Sequence, residues 1–458
     1  MMMKDMVIIF HIKRGDSMGK YYLIGIKGSG MSSLAVILND LGHQVIGYDD
    51  DSKPKYTEEL LKLKNIPIHY NNEYQLTDET VIYSPAFKLD HPELKRSQEL
   101  GLNILIYNKM LGELTKIFST TAICGCHGKT TTTALLAQTI NHLSDFPKTN
   151  YLIGDGTGYA NPDNKNLVIE ACEYQRHFLD YYPENTIITN IELDHVDYYH
   201  DLDDIVSAYQ SFVNQTKDLV IACGDDENIR KLSFKQKVIF YGFNDNNNVI
   251  AKNINLTETG STFDCYINNE FIHSFELKIF GKHMILNALA VISLLIEKNV
   301  NPDEIATAIN LFQGAKRRFT VHNFDKIITI NDYAHHHTEI KVTIESARQK
   351  YPDKEIVAIY LPNTFSRTKD FYHEEAAALN LADKVYIMDI KADRESQIDY
   401  PDISSDLILN ELNNGEKISL NEVEKLLIHK NSVMIFMSCT SIYQILEKYE
   451  YLLKNKSN

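Results

Sequence analysis

The stretch of this chain best equipped for chemistry is "ICGCHGKTTTTALLAQTI", residues 123–140. Gly125 and Gly128 let backbone N–H groups turn toward an anion without a Cβ in the way. The helix pattern that follows presents its N-terminus to the same anion. Lys129 is then placed to reach the β- and γ-phosphates of a nucleoside triphosphate, and the Thr130 hydroxyl to ligate Mg²⁺. Ile123 stands where the first glycine of the full phosphate-loop pattern would be, so the loop alone leaves a lysine-bearing helix cap as the alternative.

Two further clusters favour the phosphate loop. "LVIEACEYQRHF" puts Glu170 and Glu173 at the end of a strand, and "TNIELDHVDYY" puts Asp194, His195 and Asp197 just past another. In a parallel sheet the carboxyl ends of the strands share one edge, so these groups are expected to converge on the loop. A carboxylate and an imidazole beside a triphosphate can complete a divalent metal site.

The elements that must position them alternate along the chain. "YYLIGI", "KGSG", a helix pattern and "QVIGYD" make a βαβ opening, followed by "TVIYSPAF" and "LNILIYN". A second α/β stretch begins at "TTAICGCHGKT" and closes around the helix pattern "NALAVISLLIEKN". Near residue 320 the alternation restarts with "KIITINDY", "EIVAIYLP", "KVYIMDI" and "SVMIFMS". The reading is an α/β chain of three domains: 18–115, 116–312 and 313–458.

Composition bounds the class. At 458 residues, 44% hydrophobic and 24% charged, the chain is too long for one core and too apolar for disorder. A formal charge of −16 argues against nonspecific binding to nucleic acid or anionic membranes. Six cysteines form no C-x-x-C pair, which leaves reduced thiols rather than a zinc or disulfide framework. No apolar run reaches the roughly 18 residues of a membrane span, and the expected location is cytoplasmic.

"GCHGKTTTT", the Glu170 strand and "TNIELDHVDYY" together resemble the central domain of the Mur ligases, the ATP-dependent amino-acid ligases of peptidoglycan synthesis. "GIKGSGMSSLA", "EACEYQRHFL" and "NDYAHHHTEI" point to the branch that joins L-alanine to UDP-N-acetylmuramate. The resemblance runs from about residue 18 to the end of the chain and implies three parts. These are a Rossmann-like UDP-binding domain, a central P-loop ATPase-like domain and a Rossmann-like C-terminal domain for the amino acid. It implies ATP contacts at Gly125, Cys126, His127, Gly128, Lys129, Thr130 and Thr131, with His283, Asn287 and Arg318 completing the nucleotide site. It also implies Mg²⁺ on Thr130, Glu170 and His195.

For the muramate nucleotide it implies Gly25, Gly28, Ser29, Gly30, Met31, Asp49 and Ser84, with Glu173 and Arg367. The first glycine turn also fits a nicotinamide dinucleotide, but a dehydrogenase would leave the second phosphate loop unexplained. Lys129, Glu170, His195, Asp332 and His335 form the expected catalytic set, the last two as candidates to accept or direct the amine proton. Monomer or weak homodimer is the expected state.

The third domain departs from the family pattern. His337 stands in place of a proline, Asn363 in place of a histidine, and "FMSCTSI" in place of a G-A-G-D turn. Ser438, Cys439, Thr440 and Ser441 lack glycine's freedom and aspartate's charge, so the amino-acid site is where the resemblance frays. Side chains of the run His335, His336 and His337 are expected to diverge, which argues against one metal held by all three. Two alternatives stay open: a ligase for a recovered peptide, and a non-catalytic nucleotide- or muramate-binding relative. Residues 1–17 read as a leader or disordered extension, with Met18 as the working start.

Overall fold

A computed structural model describes residues 18–392, 395–440 and 442–456. The expectation for residues 1–17 lies outside the described residues, as does Ser441. The fold is α/β with three sheet-containing regions, and the chain divides into two compact units. One holds residues up to Glu192 with Asp203–Tyr241 and Ser293–Val300. The other holds Leu193–Leu202, Gly242–Ile292 and Asn301 onward. This division cuts across the stretch 116–312 and groups the His195 loop with the C-terminal sheet.

The first unit opens with a five-stranded parallel sheet in the order Ile68–His69, Gln44–Tyr48, Lys20–Ile24, Thr80–Tyr83, Ile104–Ile106. Among the described residues the path begins in the middle strand, crosses one way to its second strand and later the other way to its fourth. The carboxyl end of Lys20–Ile24 is therefore a topological switch point, where such sheets leave a crevice. Tyr22, Ile24, Ile46 and Val81 are buried on one face of these strands, against Leu94 of the helix Pro92–Glu99, and Tyr21, Leu23, Val45 and Ile82 are buried on the other, as expected of parallel strands covered on both sides.

The central parallel strands of the same unit carry the phosphate loop. Ser119–Cys124 lies between Asn166–Glu170 and Asn185–Ile188, with Ile123 level with Glu170 and Cys124 level with Ile188. That register brings the loop after Cys124, the Glu170 carboxylate and the residues after Ile188 to one sheet edge, as parallel pairing requires.

The second unit contains an antiparallel meander, Val249–Thr257, Gly260–Ile267 and Glu270–Leu277, which the sequence reading did not find. The polar stretch before it, residues 243–248, is a loop. Its second sheet runs Thr320–Phe324, Ile327–Asp332, Ser432–Met437, Glu355–Tyr360, Lys384–Ile387, Gly415–Lys417, all parallel except the first pairing. Apolar clusters cover both of its faces. Asp332, Met437 and Tyr360 are level in register, so the three loops that follow them emerge side by side. Among the described residues no helix is long and apolar enough to cross a membrane.

Candidate active site

The phosphate loop is built from backbone. Gly125 has φ +138° and Gly128 +80°, values that only glycine adopts without strain at this spacing. A Cβ on Gly125 would also drive into the Thr189 hydroxyl. The helix Lys129–His142 starts immediately after Gly128, with no side-chain cap and no acid in its first turn. No side chain therefore competes for the N–H groups at its positive N-terminal end, as an anion site needs. The loop is pinned from the neighbouring strand end. Asn190 Oδ1 accepts from the His127 N–H at 2.8 Å, and Thr189 Oγ1 donates to the His127 carbonyl at 2.6 Å.

Lys129 folds back over this loop. Its ammonium donates to the Gly125 carbonyl at 2.6 Å and the Cys126 carbonyl at 3.0 Å. It also pairs with Glu173, with both carboxylate oxygens 2.9 Å away. Burial works against the charge on Lys129, but Glu173 and the other acidic groups around it outweigh that and raise its pKa. Glu170, at the end of its strand, accepts the Gly154 N–H at 2.8 Å. Thr130 and Thr131 are buried in the first helical turn.

The N-terminal glycine turn repeats this design. Gly25 has φ +84°, and the helix Ser29–Asp40 begins at Gly28 with neither a side-chain cap nor an acid in its first turn. Asp49 Oδ2 accepts the Lys27 N–H at 3.0 Å, so this carboxylate shapes the turn itself. Met31 is buried, Ser84 Oγ accepts the Ala86 N–H at 3.3 Å, and the Tyr107 hydroxyl packs where a Cβ on Gly30 would stand.

In the second unit, the loops after the level strands Ile327–Asp332, Glu355–Tyr360 and Ser432–Met437 surround a cavity of about 220 Å³. Its wall includes His195, Asp197, His335, Asn363, Arg367 and Cys439. Arg367 is 6% exposed and donates to Asp194 Oδ1 at 2.7 Å and to Asn363 Oδ1 at 2.8 Å. Asp194 Oδ1 also accepts the His195 N–H at 2.6 Å. Burial penalises the Arg367 guanidinium, but Asp194 more than compensates and keeps it charged. Burial pushes the Cys439 thiol up to about 12 against the opposing pull of Arg367, so it stays protonated.

The altered turn is held without glycine. Ser438 Oγ donates to the Leu361 carbonyl at 2.8 Å and accepts the Thr440 N–H at 3.1 Å. Asp332 lies behind the cavity rather than on its wall, its two oxygens accepting the Phe319 N–H at 2.7 Å and the Ala334 N–H at 2.8 Å. Burial raises its pKa. That geometry makes Asp332 a residue that positions its turn.

Side chains of the histidine run do not all diverge. The His336 and His337 ring centroids are 4.0 Å apart and both rings lie against Phe371. His336 caps the helix that His337 begins, and the extended cap conformation swings its ring onto the same aromatic neighbour. Arg318 is bound to Glu339 at 3.2 Å. Arg317 lies over the rings of Tyr333 and Tyr443. His283, on the helix Lys282–Glu297 with Asn287 one turn on, is depressed to about 4 by burial and by Arg318.

The structure thus gathers the loop Gly125–Thr131, Glu170 and Glu173 in one unit, and His195, His335 and Arg367 around one cavity in the other. The sequence reading missed Thr189 and Asn190, which pin the loop, and Tyr107. It also missed Glu339, which accepts the His335 N–H at 3.1 Å. Thr189 and Asn190 had a signal: polar residues directly after a buried strand that ends level with Cys124.

Three family patterns match in order. The "Mur ligase family, catalytic domain" covers residues 20–119, the "Mur ligase middle domain" 123–295, and the "Mur ligase, glutamate ligase domain" 317–430. A UDP-N-acetylmuramate–L-alanine ligase of Lactiplantibacillus plantarum is 42% identical over 441 residues, 96% of this chain and 100% of the relative. A protein of the same name from Levilactobacillus brevis is 42% identical over 444 residues, covering 96% and 99%. Among solved structures, a UDP-N-acetylmuramate–alanine ligase of Thermotoga maritima aligns with a TM-score of 0.79 at 25% identity, over 95% of this chain and 99% of that one. A murein peptide ligase of Psychrobacter arcticus shares the fold with a TM-score of 0.71 at 22% identity, over 95% and 99%.

Proposed function

This chain belongs to the Mur ligase family, and we infer that it joins L-alanine to the lactyl carboxylate of UDP-N-acetylmuramate at the expense of ATP. The observation that carries this reading is 42% identity, over nearly the whole length of both chains, to relatives named for that reaction. The same likeness disfavours a peptide ligase or a non-catalytic binder. A dehydrogenase finds no support either, because the second glycine loop fits a triphosphate.

The chemistry follows from the substrates. A carboxylate resists attack by an amine because its leaving group would be oxide. Transfer of the γ-phosphoryl group gives an acyl phosphate, and attack by the amine then expels phosphate. In this mechanism the loop N–H groups and the helix N-terminus cradle the phosphates, and Lys129 turns from the loop carbonyls to neutralise the transferring group. In the arrangement paired with Glu173 its raised pKa keeps it an ammonium. The Thr130 hydroxyl and the Glu170 carboxylate are hard oxygen donors suited to Mg²⁺, and for His195 we keep the metal-ligand role that the family resemblance implies. The cation, when bound, offsets phosphate charge.

The N-terminal glycine turn is assigned to the UDP diphosphate, on the strength of its uncapped helix start. His283, Asn287 and Arg318 are assigned to the adenosine side. The cavity of the second unit is assigned to alanine, with the charged Arg367 for its carboxylate and His335 for the departing amine proton. The three-part division at 18–115, 116–312 and 313–458 is retained as a functional one, each part built round its own sheet. A cytoplasmic monomer or weak homodimer suits these water-borne substrates.

Phosphate release from ATP, measured with UDP-N-acetylmuramate plus alanine, glycine, serine or a tripeptide, tests the reading. Release that requires both the muramate nucleotide and alanine supports it. Release with the tripeptide in preference to alanine would replace it by the peptide-ligase reading.

A further inference from the structure

Behind the cavity wall, Glu375 is 1% exposed on the helix Phe365–Leu379, just after the break in that helix at Phe371. Its Oε1 lies 3.0 Å from the Tyr360 hydroxyl, and that hydroxyl lies 3.2 Å from the His335 carbonyl oxygen. Glu375 Oε2 is buried with no hydrogen-bond partner among the described residues. Counting protons decides what this arrangement means. A tyrosine hydroxyl has one hydrogen to give. With Glu375 ionised, the carboxylate and the carbonyl compete for that hydrogen, and the loser is a buried, unsatisfied acceptor. With Glu375 protonated, the acid donates to Tyr360, Tyr360 donates to His335, and every hydrogen has an acceptor.

We propose that protonated Glu375 is a positioning residue that acts through Tyr360 to fasten the His335 turn at the cavity wall. The surroundings favour that state. Tyr360 stands in an apolar cluster with Ala334, Ile340, Ile344, Ala376 and Leu379. Charged or titratable groups nearby are few. Arg367 and Glu374 lie on the same helix, and Tyr360 comes from the strand behind. From the neighbouring helix start, His336 and His337 lie against Phe371, one turn before Glu375. Asp406, on the short helix Asp406–Leu409, turns to Lys417 instead. Burial outweighs the pull of Arg367 and Tyr360 and raises Glu375 to about 7.

The sign of the linkage is fixed by this shift. The folded chain holds a proton that the unfolded chain releases, so the contribution of Glu375 is complete below the ordinary glutamate range. It is lost as pH rises through about 7. Glu375→Gln keeps a donor toward Tyr360 and removes the titration; Tyr360→Phe removes both links.

The test compares urea midpoints of the wild type and E375Q between about pH 5 and about pH 8. The wild type is expected to lose ground to E375Q across that window and then to level off. Infrared difference spectra of the two at about pH 6 should show a protonated-carboxyl stretch that only the wild type has. The kinetic arm rests on the assignment of the cavity to alanine: the ratio of alanine KM, wild type over E375Q, should rise several-fold from about pH 6 to about pH 8, with ATP KM unmoved. Y360F should show a raised alanine KM at both ends of the range. A midpoint difference constant with pH, or no protonated-carboxyl band, overturns the proposal. A midpoint difference that varies with pH beside a flat alanine ratio supports the hydrogen-bond chain and overturns the assignment of the cavity instead.

Discussion

Lys129 and Glu173 are held as a buried pair, the ammonium 2.9 Å from each carboxylate oxygen, with Glu173 fully shielded from solvent. The lysine meant for phosphate is thus stored against a carboxylate until a stronger anion displaces it. Removing Lys129 strips the charge from the transferring phosphate and also strands Glu173. K129A is expected to lose ligation and, in addition, roughly 3–5 kcal/mol of stability, as when a buried pair is broken. The double variant K129M/E173Q should regain most of the stability and none of the activity. Thermal melts and phosphate release on both variants check this, and activity in the double variant would remove Lys129 from the mechanism.

Gly125 should tolerate no side chain. Its φ of +138° and the Thr189 hydroxyl beside it both oppose a Cβ. G125A is expected to raise the ATP KM at least about tenfold and to cost roughly 1–3 kcal/mol in local strain. Adding T189A removes the collision but not the backbone strain, so rescue should be partial. Complete rescue would show that the backbone conformation is unimportant.

His195 combines a proposed metal role with a left-handed backbone, φ +53°. Its carbonyl accepts the N–H groups of Tyr198 and Tyr199 at 2.8 and 2.9 Å. Alanine there would mix strain with ligand loss, and asparagine could itself ligate Mg²⁺ through its carbonyl oxygen, whereas glycine tolerates this conformation and brings no ligand. H195G should therefore shift the Mg²⁺ dependence of turnover to higher concentration by about tenfold or more while leaving the melting temperature within a few degrees. An unchanged metal titration would refute the ligand role.

Ser438 closes the turn that replaces the expected glycines. S438A removes the hydroxyl that joins Leu361 to Thr440, at a cost of about 1 kcal/mol. The alanine KM should rise several-fold with the ATP KM unchanged. Equal effects on both constants would place this turn outside the amino-acid site.

His283 makes a prediction in pH. Its folded pKa, about 4, lies below the ordinary histidine range. The unfolded chain therefore binds the extra proton first, and stability should fall as pH drops from about 6.5 toward about 4. H283Q should flatten that part of the urea-midpoint profile relative to the wild type; an unchanged slope would mean His283 is solvated.

The phosphate loop was legible because its chemistry is local. Glycine conformation, a lysine one residue on and a helix start all lie within a few positions of one another, and strand ends in a parallel sheet must share an edge. The alternation of strand and helix patterns is likewise enough for the α/β class. The antiparallel meander was not legible, since its strands carry many charged and polar residues on their open face and give a weak apolar period.

What the sequence could not decide is which residue meets which across the fold. Glu173, expected to converge on the phosphate loop and to sit beside the substrate, meets one particular partner there, the Lys129 ammonium, which the sequence did not single out. Asp332, a candidate to accept or direct the amine proton, has each of its oxygens held by a backbone N–H, of Phe319 and of Ala334. Arg367 lies 173 positions from Asp194 in the chain, yet each is the other's counter-ion. Likewise Glu375, Tyr360 and His335 sit on a helix, a strand and a turn, and only packing brings them to hydrogen-bond distance. Local residue types set what chemistry was possible; burial and register, which depend on the whole chain, set which charges are paired and which protons are held.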